Sequence, residues 1–207
     1  MKLKFTVFAV AALCAGASQA ALVQGTPTPA GQPASPTPMF GTLISFDDVA
    51  TGSPLVANHY AAQGVSSIVN TLGPALGYYP SSQSGINYVG TGPSVGWAAD
   101  ILVSFSSLQA AVGIGIAGPT SLTFQLLAAD RSVLEGYTLT TTPTNTYYYI
   151  NRASNDVSFL RVFGNFVAID DLQFSSQTVP QVPEPGTYAM MLMGLGVLGF
   201  LARRRKG

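Results

Sequence analysis

Hydrophobic and polar positions alternate along the middle of the chain with the period of two that marks half-buried strands. Val112, Ile114 and Ile116 alternate with glycines, Leu122, Phe124 and Leu126 with polar residues, and Tyr137 and Leu139 with threonines. The same pattern predicts strands over 43–47, 86–89, 101–105, 146–150, 157–163 and 166–174. Turn formers separate them: Gly118-Pro119, Ala129-Asp130-Arg131, Pro143-Thr144-Asn145, Ser154-Asn155-Asp156 and Gly164-Asn165. Only His59 to Gly64 suits a turn or two of helix. Many short strands with one buried face predict an all-β, antiparallel β-sandwich, jelly-roll-like, over residues 40–175. Ile169 and Leu172 cannot both face inward under strict alternation, so a bulge is expected near Asp170.

The pattern changes at both ends. Lys2 and Lys4 precede an apolar stretch from Phe5 to Ala17, and Ser18-Gln19-Ala20 supplies small residues, which predicts a cleavable signal peptide over 1–20 cut after Ala20. Residues 21–39 carry five prolines among small polar residues and are expected to be an extended linker. A second linker, 176–182, leads to an apolar run over 188–202, which would rise about 22 Å as a helix, short for a stable membrane span. Arg203, Arg204, Arg205 and Lys206 follow it and should stay cytoplasmic, leaving the body on the other side.

This tail resembles a PEP-CTERM sorting signal over residues 183–207. The sequence Val182-Pro183-Glu184-Pro185-Gly186-Thr187 holds the Pro-Glu-Pro motif, followed by the apolar segment and the basic cluster. The resemblance implies recognition of Pro183, Glu184 and Pro185 by an exosortase in the inner membrane, which removes the tail. It also implies an exported surface or matrix protein of a Gram-negative bacterium that makes exopolysaccharide. The expected partners are therefore exosortase, signal peptidase and exopolysaccharide, with transient membrane insertion through the tail. A second, shorter resemblance concerns the body. Its opening, Ile44-Ser45-Phe46-Asp47-Asp48, and its close, Ala168-Ile169-Asp170-Asp171-Leu172, are similar to those of secreted bacterial β-sandwich domains.

Charge narrows the function classes. Between the two removable ends stand Arg131, Arg152 and Arg161 against eight carboxylates, a net charge of about −5 with no lysine. Nucleic acid binding needs clustered cations to neutralise phosphates, so that class is excluded. Cys14 lies in the signal peptide, so the mature body has no thiol or disulfide. His59, the only histidine, has no nucleophile elbow near it, and one histidine without cysteine excludes an ordinary zinc site. Glu135 is the only glutamate of the body and reads as the outer face of a hairpin strand, so the chain is expected not to be an enzyme.

Two candidate sites remain. Adjacency of the first and last strands would bring Asp47 and Asp48 near Asp170 and Asp171, where four carboxylates suit a structural Ca²⁺ ion. The alternative is that Asp47 and Asp48 initiate the turn before Thr51-Gly52, Asp170 and Asp171 bond local backbone amides, and the protein has no cofactor. Trp97, Tyr78-Tyr79 and Tyr147-Tyr148-Tyr149 are candidates for stacking on sugar rings, Trp97, Tyr147 and Tyr149 foremost, with Tyr147 and Tyr149 on one face of their strand and Tyr148 on the other. The leading reading is a non-catalytic surface or matrix protein with a structural or adhesive role in a biofilm. A carbohydrate-binding module is the alternative, and a polysaccharide hydrolase is a distant third.

Overall fold

The computed structural model describes residues 22–24, 40–80, 85–92, 98–117, 121–140, 146–165 and 167–177. They form twelve strands: β1 (Leu22–Gln24), β2 (Thr42–Ile44), β3 (Val65–Asn70), β4 (Gly77–Pro80), β5 (Asn87–Gly90), β6 (Ala99–Gln109), β7 (Ala111–Ala117), β8 (Ser121–Leu127), β9 (Val133–Thr140), β10 (Thr146–Asn151), β11 (Val157–Gly164) and β12 (Ala168–Ser175). The His59 to Gly64 stretch holds a single 3₁₀ turn, Ala61–Gln63, closed by Gly64 in the left-handed region.

Two antiparallel sheets make a sandwich, as the alternation predicts. One has the order β1-β10-β7-β12-β5-β4, with β2 also paired to β12. The other has the order β3-β6-β11-β8-β9. The six expected core residues of β7 and β8, Val112, Ile114, Ile116, Leu122, Phe124 and Leu126, are all buried between the sheets. Ile101, Val103, Leu160, Val162, Ile150 and Ile169 join them from both sides. The chain changes sheet at eight of the eleven connections between these strands, and the sharpest change, from β6 to β7, uses Ala110 alone. Its N–H donates to Ser175 O and its carbonyl accepts from Arg152 N.

The first and last strands of the body are adjacent: Thr42, Leu43 and Ile44 pair with Phe174, Gln173 and Leu172. The bulge is present too. Asp170 pairs with Gly115 and Gln173 with Gly113, so Asp171 and Leu172 together oppose one residue of β7. Asp171 takes a positive φ of 45° to make the shift, and Ile169 and Leu172 both reach the core fully buried. Leu22–Gln24, within the stretch expected to be linker, adds a three-residue strand to the edge of β10, with Leu22 half-buried against the core.

Candidate functional site

The outer face of the seven-stranded sheet carries most of the residues the sequence singles out. Register places Tyr147 of β10, Gly115 of β7 and Asp170 of β12 in one row across it. Ile169 pairs with Val89, so the next position of β5, Tyr88, continues the row, and Tyr88 pairs with Tyr79 of β4. A parallel row runs through Tyr149, Gly113, Gln173 and Leu43. Tyrosines therefore stand at both margins, with glycines and polar side chains between them.

The two margins differ. Tyr147 and Tyr149 share this face, as alternation requires, but Tyr147 is only 3% exposed. Its ring lies over Gly113, where a Cβ would collide with the phenol hydroxyl. Burial, with Asp171 nearby, pushes that phenol well above its usual pKa, and the hydroxyl has no hydrogen-bond partner among the described residues. Tyr149 is half-buried against Phe40, their ring centroids 5.9 Å apart, and the Phe40 N–H donates to Gln173 Oε1 at 2.9 Å. At the opposite margin, Tyr79 and Tyr88 are both half-buried, their centroids 5.7 Å apart and their planes within 30°. Trp97 lies outside the described residues.

The acidic pairs are not gathered into one cluster. The Asp47 carboxylate accepts from the N–H groups of Ile86 at 2.7 Å and Asn87 at 2.9 Å. Asp48 accepts from Tyr60 Oη at 2.7 Å and meets His59 Nε2 at 3.1 Å. Burial would raise the Asp48 pKa, but these two hydrogen bonds together hold it below the usual value. Asp170 and Asp171 are buried in the bulge, and Asp170 Oδ1 accepts from Asp171 N at 2.8 Å. Strand adjacency holds, yet β2 ends at Ile44, and the turn after it aims Asp47 and Asp48 at β5 and the 3₁₀ turn. Among the described residues no three His, Cys, Asp or Glu side chains come together to hold a metal ion.

Glu135 differs from the expected exposed position. It is 8% exposed and accepts from Arg152 Nη1 at 2.6 Å, while Arg152 also grips Asp156 through Nε at 2.7 Å and Nη2 at 2.9 Å. A buried carboxylate so paired serves the packing, because removing its arginine would strand a charge in the interior. Arg161 is bidentate to Asp100, at 2.7 and 2.6 Å, and stacks over Phe163. Arg131 lies over Phe159. All three body cations are thus engaged within the fold.

Residues 181–206 match the model of the PEP-CTERM protein-sorting motif. The chain carries a PEP-CTERM sorting tail. It is an exported protein, processed by exosortase and anchored in the membrane in transit. No curated protein and no solved structure matches the chain. Among the described residues no helix is long and apolar enough to cross a membrane, and the apolar run of the PEP-CTERM tail lies outside them, as do residues 1–20, expected as a signal peptide, and Pro183, Glu184 and Pro185.

The fold sets how the PEP-CTERM tail is attached. Ser175 pairs with Ala111, which pairs with Asn151, one residue beyond the pairing of Ile150 with Leu22. Leu22 and Ser175 therefore leave the sandwich at the same end. Pro183 stands eight positions after Ser175, so the PEP-CTERM motif lies within about 28 Å of the last strand even when fully extended.

Proposed function

We propose that the chain is a non-catalytic component of the cell surface or extracellular matrix of a Gram-negative bacterium, with a structural or adhesive role tied to exopolysaccharide. The sorting tail carries this reading, because it commits the folded body to export. The engagement of Glu135 by Arg152 supports a non-catalytic role, since a glycosidase needs its carboxyls facing a cleft. The test is Glu184→Ala followed by cell fractionation. Uncut precursor should accumulate in the inner membrane, and ordinary delivery of the variant to the outside would overturn the reading.

One observation favours a carbohydrate-binding role as a second reading. Tyr79 and Tyr88 form a paired, half-exposed aromatic surface on an otherwise weakly charged face. Retention of the chain by purified exopolysaccharide would support it, and free migration would count against it.

A further inference from the structure

The bed beneath Tyr79 and Tyr88 is what makes them a platform. Tyr79 pairs with Tyr88, and two residues along, Gly77 pairs with Gly90 on the same face. A Cβ built on Gly77 would stand 3.4 Å from Tyr79 Cε2, and one on Gly90 would stand 3.3 Å from Tyr88 Cε2. Both rings therefore lean the same way, side by side over a pair of residues with no side chains, and the Tyr79 hydroxyl ends over Gly92, where a Cβ would lie 2.5 Å away. With any larger residues beneath them the rings would stand up from the sheet. Over these glycines both rings stay half-exposed.

We propose that this pair is a stacking site for a neutral polysaccharide, seated across the β4 margin of the seven-stranded sheet; the proposal rests on the carbohydrate-binding reading above and names its site. Two rings with centroids 5.7 Å apart and planes within 30° offer apolar aromatic surface for the C–H faces of sugar rings. Other occupants fit less well. A nucleic acid or a strongly anionic polymer would need cations, and Arg131, Arg152 and Arg161 are engaged elsewhere. A peptide adding as a strand would find the β4 edge already taken, since Tyr78 N–H donates to Ser53 O and Gly52 N–H donates to Tyr78 O, and Pro80 has no N–H to offer.

The test is native affinity electrophoresis of the full-length chain in mild detergent. The gels contain exopolysaccharide purified from the producing cells, or β-glucan or dextran as neutral comparators. The wild type should be retarded in at least one of them. Tyr79→Ala and Tyr88→Ala should each weaken retention about tenfold. Tyr79→Leu and Tyr88→Leu, which keep apolar bulk but lose the flat face, should do the same with unchanged circular dichroism. Gly92→Ala keeps both rings but pushes Tyr79 off its bed, and should weaken retention by several-fold. Tyr149→Ala, at the other margin, should leave retention as in the wild type. Retarded wild type with equally retarded leucine and Gly92→Ala variants would overturn this site while leaving the carbohydrate-binding reading standing. A wild type that runs freely in every gel would overturn both.

Discussion

Tyr147 and Tyr79 stand in the same row of the same sheet face, four strands apart, and meet opposite fates. Both lean their hydroxyls over a glycine, Gly113 for Tyr147 and Gly92 for Tyr79. Tyr147 is enclosed beside the buried Asp171, on the margin where Phe40 returns to the sheet against Tyr149. Tyr79 lies at the β4 margin, beside the backbone of Gly52 and Ser53, and stays half-exposed. An aromatic side chain over a glycine floor is thus a packing element where the chain closes over it, and a surface element where it does not.

Truncation is the strongest way to break this comparison. Tyr147→Ala should cost about 3–5 kcal/mol, as for other buried aromatics, whereas Tyr79→Ala should cost about 1 kcal/mol, both read from urea denaturation. Equal losses would mean that the two margins are alike. Next come the glycines. Gly113→Ala forces a methyl into a ring that cannot move and should cost about 1–3 kcal/mol. Gly92→Ala meets the hydroxyl end of a half-exposed ring and should cost less than about 1 kcal/mol. Tyr147→Phe sharpens the point: it removes a buried hydroxyl that lacks a partner among the described residues, so stability should rise by up to about 1 kcal/mol.

The carboxylates repeat the contrast between paired and enclosed groups more quietly. The hydrogen bonds from Arg161 hold Asp100 below the usual carboxylate range. Their contribution is fully present above about pH 4 and is lost as pH falls through the lowered native value. Asp100→Asn should flatten the acid limb of a melting-temperature profile, and an unchanged limb would remove the pair from the account. The smallest effect should come from chelation. Asp47 and Asp48 are already bonded to Ile86, Asn87, Tyr60 and His59, so EDTA should leave the melting temperature where it was. A fall on chelation, abolished by replacing Asp170 and Asp171 with Asn, would restore the shared Ca²⁺ site.

Where local sequence sets the physics, reading it worked. The inward positions of β7 and β8 follow from alternation, because side chains on a strand change face at every residue. The bulge follows from Ile169 and Leu172 both needing the core. Short or unusual segments were missed: β3 and β4 were not expected, since Gly77-Tyr78-Tyr79-Pro80 is bracketed by two strand-breaking residues. Tyr88, between Asn87 and Val89, shows nothing locally that separates it from any other strand tyrosine. Glu135 was placed outside because its partner, Arg152, arrives from 17 residues away.

By itself the sequence determined the strand pattern, the core positions of β7 and β8 and the sorting tail, all of which depend on residue type and near spacing. Only the tertiary structure decided which aromatic side chains are covered and whether the acidic pairs meet. Those depend on which distant segments return to each face. In a sandwich whose chain changes sheet at most connections, no local periodicity records that.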